Sequence, residues 1–250
     1  MTQNQKKFLH APLAIFCLAY AVRILFFIMA RKFYAEAWSP EKIGINHWLD
    51  IAQNLVSGQG FSHSSLLTYL PMGGGVEPTA ARSPLPVLVL SAVLLIFKGY
   101  SYYALFAQSW FFSAVSAALL YILANKIMSS RKIALLVSVF YCFYLPEIFI
   151  STTYAAGSES LFTFLIMVYF GLIIRQIETR SLKLAFAAGL VLALAFLSRP
   201  IVLFFPLLYA GWAFWKYRLK AVPSLAAYLT AFILCVSPWV IRNQIIIGKP

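Results

Sequence analysis

Few residues in this 250-residue chain are equipped for chemistry, and they fall in short clusters. Asp50 is the single aspartate, and His47 stands three residues before it. If 46–56 forms a helix, Asn46, Asp50 and Asn54 share a face at i, i+4 spacing with His47 adjoining. Either His47 or Asp50 could take a proton from a hydroxyl and so serve as a general base. The same pattern also fits a surface helix, with the polar residues wet and Trp48, Ile51 and Leu55 toward lipid. Both readings are open at this level. Glu36, Glu41 and Glu77 are further carboxylates nearby. Arg82, Arg199 and Arg242 suit phosphate, because the guanidinium fork matches its oxygens. No cluster of ligand types argues for a metal or a cofactor.

The elements that must hold these residues are hydrophobic. The chain is 62% hydrophobic and only 11% charged, with a mean hydropathy of +0.83. A soluble domain of this size needs more polar surface, so the composition implies an all-α, polytopic membrane protein. Cys17, Cys142 and Cys235 lie inside apolar runs and suggest neither a disulfide framework nor a metal site. The net charge of +13 reads as loop charge that orients spans rather than as a nucleic-acid surface. None of the basic connections between spans exceeds three charges.

Apolar runs near 9–30, 101–125, 133–150, 158–174, 183–198, 200–215 and 221–239 predict seven spans. The first is too long for an ordinary signal-peptide core and carries Arg23, so an uncleaved span is expected despite Ala35-Glu36-Ala37 after it. The connections NKIMSSRK, RQIETRSLK and KYRLK are basic, and they alternate with the nearly neutral STTYAAGSES, SRP and IRNQIIIGKP. Placing the basic set in the cytoplasm puts the N-terminus inside and residues 31–100 in one large outer loop.

That alternation makes 84–98 begin and end on the same face. At about 15 residues the segment reaches only ~22 Å as a helix, short of a ~30 Å core. Pro84 and Pro86 suit its start and Gly99 its end, so a helix lying in the outer interface is expected. Glu147, Glu159, Arg199 and Arg242 then all fall at outer ends of spans, where charge is costly and tends to be functional or paired. Snorkelling, or a Glu159–Arg199 pair between helices, is the structural alternative.

Five short patterns, in order, resemble the C-type glycosyltransferase superfamily. IAQNLVSGQGFS (51–62) resembles its IA-x-NL-x-x-G-x-GFS stretch, and EPTAARSPLPVLVLSAVLLIFKGYS its PTA-x-R-x-P-x-x-P…F-x-x-G-x-S helix. GSESLF (157–162), LSRP (197–200) and PWVIRN (238–243) resemble TE-x-LF, L-x-RP and PW-x-x-RN. The group most similar is the bacterial branch that includes protein O-mannosyltransferases and the lipid A aminoarabinose transferase.

The resemblance implies a single seven-span module over 1–250 with two interface-lying helices in the first outer loop, followed in family members by further spans and an outer domain. It implies a bacterial inner-membrane enzyme that moves a sugar from a polyprenyl-phosphate donor to an outer-face acceptor, whether lipid, glycan or protein. It places Arg82, beside the interface helix, near the donor phosphate. Arg199 and Arg242 join it there, with Glu159 in support. The family's carboxylate about eight residues before IA is absent, since that position is Gly44. Asp50, His47 or Glu77 would have to replace it. Membrane lipids are the remaining expected partner. An inactive family member acting as a scaffold or partner subunit is the second reading, and a transporter the third.

Overall fold

The computed structural model describes residues 3–33, 47–64, 76–97, 102–153 and 158–248, with side chains from His10 onward except those of His47, Tyr102 and Thr153. Glu36, Glu41, Gly44 and Asn46 lie outside the described residues. The elements in chain order are α1 (Gln3–Phe33), α2 (His47–Val56), β1 (Ser62–Ser64), β2 (Val76–Pro78), α3 (Pro84–Ile96) and α4 (Tyr102–Met128). They continue with α5 (Arg131–Cys142), α6 (Leu145–Thr153), α7 (Glu159–Thr179), α8 (Leu182–Ser198), α9 (Phe205–Tyr217) and α10 (Val222–Ile246). The strands form a small antiparallel pair with His63 opposite Glu77, the one departure from an all-helical chain among the described residues.

The helices wear their apolar residues outward. Leu136 and Phe140 on α5 are each 70% exposed, and Leu25, Met29, Leu207 and Leu234 are also exposed. In water such surfaces would aggregate, and in a bilayer lipid tails cover them. The chain is therefore a helical, membrane-embedded protein.

Four described stretches are long and apolar enough to cross a membrane: His10–Phe33, Tyr103–Met128, Glu159–Thr179 and the run Pro200–Ile246. The expected span at 133–150 is broken, because α5 and α6 bend by 46° at Phe143–Tyr144 and count as a fifth crossing only if taken together. Pro146 explains the break, since it offers no N–H to the Cys142 carbonyl four residues back. α3 has 13 residues and rises roughly 20 Å, so it cannot cross a ~30 Å core alone.

Two compact units divide the chain within α7. The first comprises residues 1–79 and 86–164, the second 80–85 and 165–250. In the first, α2 and α3 pack with α1 and α4 in one core that includes Phe27, Ile51, Ala52, Val87, Leu90 and Phe106. Ile51 is 1% exposed, and Trp48 and Leu55 pack against the same core, so protein rather than lipid covers the apolar face of α2.

In the second unit, small residues let α8 and α10 approach closely. Ala185, Ala188, Gly189 and Ala193 are buried on α8, opposite Tyr228 and Ala231 on α10. A Cβ on Gly189 would strike the Tyr228 carbonyl, whereas Gly211 on α9 has open space around it. Close small-residue contacts are how membrane helices gain packing where lipid is as apolar as leucine. Gly189→Ala is expected to cost about 1–3 kcal/mol of stability in detergent. Gly211→Ala should be neutral or better on helix propensity, and equal thermal midpoints for the two variants would contradict this packing.

Candidate functional site

Asp50 and Asn54 lie on one face of α2, as their spacing requires, and both are buried. The face is neither wet nor open. Ser64 of β1 donates its backbone N–H to Asp50 Oδ2 at 2.9 Å. Asn54 Nδ2 donates to the Ser62 carbonyl at 3.1 Å and to Ser64 Oγ at 3.3 Å. The two side chains thus fasten the strand to the helix. Buried polar groups need such partners, and here they find them locally.

Gly58 and Gly60, with φ of +84° and +74°, turn the chain between α2 and β1. The QNLVSGQGFS stretch therefore has a mechanical job: it reverses the chain so that Asp50 can hold Ser64.

Glu77 is exposed on β2. Its carbonyl lies 3.1 Å from His63 Nδ1, so the histidine touches its backbone. Asp50 and Glu77 are consequently attached to opposite strands of one hairpin, one step apart in register. The side chain of His47 lies outside the described residues, so its candidacy rests on sequence alone.

The three arginines all belong to the second unit. Arg82 precedes α3 by two residues and is half-buried. Arg199 is the extended residue that ends α8 before Pro200, its N–H bonded to the Ala195 carbonyl at 2.8 Å. A residue before proline is pushed out of the helical region, which fixes this helix end. On α10, Arg242 lies 5.1 Å from the Trp239 ring centre and donates to Asn243 Oδ1 at 3.0 Å. The PWVIRN residues thus form a local cluster around one guanidinium. Glu159, in the first turn of α7, is half-buried and belongs to the first unit.

The strongest polar constellation lies elsewhere in the first unit. Arg23, in the middle of α1, is wholly buried. Its Nε donates to Ser113 Oγ at 2.9 Å, and its Nη1 to the Ala19 and Cys142 carbonyls at 2.8 and 3.3 Å. Ser113 in turn donates to Glu147 Oε1 at 2.7 Å, and Ser160 donates to the same oxygen at 3.2 Å. The Cys142 carbonyl is the one that Pro146 cannot satisfy. The break in the α5–α6 pair thus supplies both an acceptor and, one residue after the proline, the carboxylate.

In the sequence Arg23 stands inside the first apolar run and Glu147 among the charges expected at outer span ends, and nothing there links the two. Residues 124 apart in the chain carry no local signal that they meet. The only hint was a mid-span arginine requiring a partner. Among the described residues, no three His, Cys, Asp or Glu side chains gather closely enough to hold a metal ion.

Comparisons of the chain with family models, characterised proteins and solved structures give no match.

The pinning role of Asp50 has a direct consequence. Asp50→Ala should lose a charge-assisted hydrogen bond worth about 1.5–3 kcal/mol and speed hydrogen exchange at the Ser64 amide. Asp50→Asn, which keeps an acceptor, should do so less. Unchanged Ser64 exchange in Asp50→Ala would rule the pin out.

Proposed function

We propose that this chain is a glycosyltransferase of the polyprenyl-phosphate-sugar-dependent kind, set in a bacterial inner membrane with its N-terminus cytoplasmic and its site on the outer face. The observation that carries the reading is the α2–hairpin–α3 assembly. It supplies two short helices between the first long apolar helix and the next, within the segment where the sequence patterns of the superfamily begin. α3 is too short to cross, as the outer-interface reading requires. Seven spans follow if α5–α6, α8, α9 and α10 each count as one crossing.

In the reaction, an acceptor hydroxyl attacks the anomeric carbon of the donor sugar. The bond from that carbon to the phosphate oxygen breaks, and polyprenyl phosphate leaves with the electron pair. His47, Asp50 or Glu77 takes the acceptor proton. Arg82, Arg199 and Arg242 offset the charge that develops on the phosphate, and Glu159 supports them. A partner-subunit or scaffold role is the second reading. It is favoured by one observation: Asp50, the carboxylate beside the sequence pattern, is already engaged in holding β1.

Transfer of radiolabel from a polyprenyl-phosphate sugar into membrane acceptors separates the two. Loss of the true base should lower transfer on the order of 10²–10⁴-fold, with donor binding intact. His47→Gln, Asp50→Asn and Glu77→Gln are the variants to compare, at matched expression. Transfer that survives all three would remove these bases, and no transfer by the parent would leave the scaffold reading.

A further inference from the structure

Three basic residues of the 216–220 connection and one from the 175–183 connection come together in the second unit. Arg180 follows α7, while Lys216, Arg218 and Lys220 lie at the end of α9 and in the 3₁₀ turn after it. With Tyr217 and Ser224 they line a single open cavity of ≈ 910 Å³. Among the described residues, no carboxylate lines it. Arg180 stacks on the Tyr217 ring, 3.3 Å from its centre. The Lys216 ammonium lies 5.3 Å from the Trp212 ring centre and 5.5 Å from that of Tyr217. Aromatic rings thus hold two of the four like charges around one concavity, an arrangement that repels itself and attracts an anion.

An apolar groove of ≈ 420 Å³ lies one helical turn back along α9. Its walls include Tyr169, Ile173 and Ile177 of α7 and Leu208, Tyr209 and Trp212 of α9. Trp212 lines this groove and is also the ring beside Lys216, so groove and basic cavity adjoin there. Exposed apolar residues accompany the cations: Trp215 is 71% exposed, and Leu219, between Arg218 and Lys220, is 77% exposed. Cations interleaved with exposed tryptophan and leucine are the residue types that suit the boundary between headgroups and hydrocarbon.

We propose that cavity and groove together bind one anionic glycerophospholipid of the surrounding leaflet. Its phosphodiester sits among Arg180, Lys216, Arg218 and Lys220, and an acyl chain lies along α7 and α9. A zwitterionic phosphatidylcholine offers the same phosphate with a fixed cation attached, which the four positive side chains disfavour. This site is independent of sugar transfer.

The test reconstitutes the full chain in nanodiscs of phosphatidylcholine and phosphatidylglycerol, followed by native mass spectrometry of lipid retained in detergent. Phosphatidylglycerol should be retained over phosphatidylcholine by about tenfold or more. The triple variant Lys216→Gln, Arg218→Gln, Lys220→Gln alters exposed side chains only and should abolish that preference. Ile177→Trp, which fills the groove, should reduce phosphatidylglycerol retention while the cations remain. Soluble glycerophosphoglycerol should compete poorly. Equal retention of the two lipids by the parent, full retention by either variant, or competition by the soluble headgroup matching the intact lipid would overturn the proposal.

Discussion

The first unit depends on one buried charge. An arginine at the middle of a membrane helix carries an insertion cost of roughly 2.5–3.5 kcal/mol on translocon scales. The three hydrogen bonds that Arg23 makes supply about 2 kcal/mol together, at the ~0.6 kcal/mol average for bonds inside membranes. Hydrogen bonding alone therefore falls short. Two further features oppose the charge: the Tyr141 ring, whose centre lies 5.9 Å from the guanidinium, and Glu147, reached through the Ser113 hydroxyl, which accepts from the guanidinium and donates to the carboxylate.

This requirement organises what surrounds it. Glu147 reaches the interior because Pro146 ends α5 and starts α6 with its carboxylate in the first turn, where the helix dipole favours negative charge. The same break frees the Cys142 carbonyl for the guanidinium. Four residues further along α1, Phe27 packs on Phe106 and Trp110 of α4, with ring centres 4.7 and 5.2 Å away. That aromatic contact continues the α1–α4 seam into the core against which α2 and α3 rest. The hairpin carrying Glu77 is attached to α2 through Asp50 and Asn54. Chemistry at this loop would thus be positioned, in steps, by the pairing of α1 with α4.

Much of the helical pattern was legible in the sequence because apolar runs and prolines act locally. Pro84, Pro200 and Pro206 stand at or near helix starts, and the bounds of α3 follow the short helix expected over 84–98 closely. The i, i+4 relation of Asp50 and Asn54 was also legible. What that face touches was not, because a strand 14 residues away supplies the partners. The broken 133–150 span shows another limit. Its hydropathy is continuous, and only the missing amide of Pro146, answered by a distant arginine, separates α5 from α6. The basic cavity was hidden for a similar reason, since its cations come from two connections that meet only when α7 and α9 pack.

The central claim, that Arg23 and Glu147 stabilise the first unit as a connected pair, is tested most directly by a double-mutant cycle. Unfolding free energies in detergent would be measured for the parent, Arg23→Met, Glu147→Met and the double variant. Each single change strands a buried charge and should cost about 3–5 kcal/mol, whereas the double variant should cost far less than the two together. Costs that simply add, or singles that unfold like the parent, would contradict the linkage.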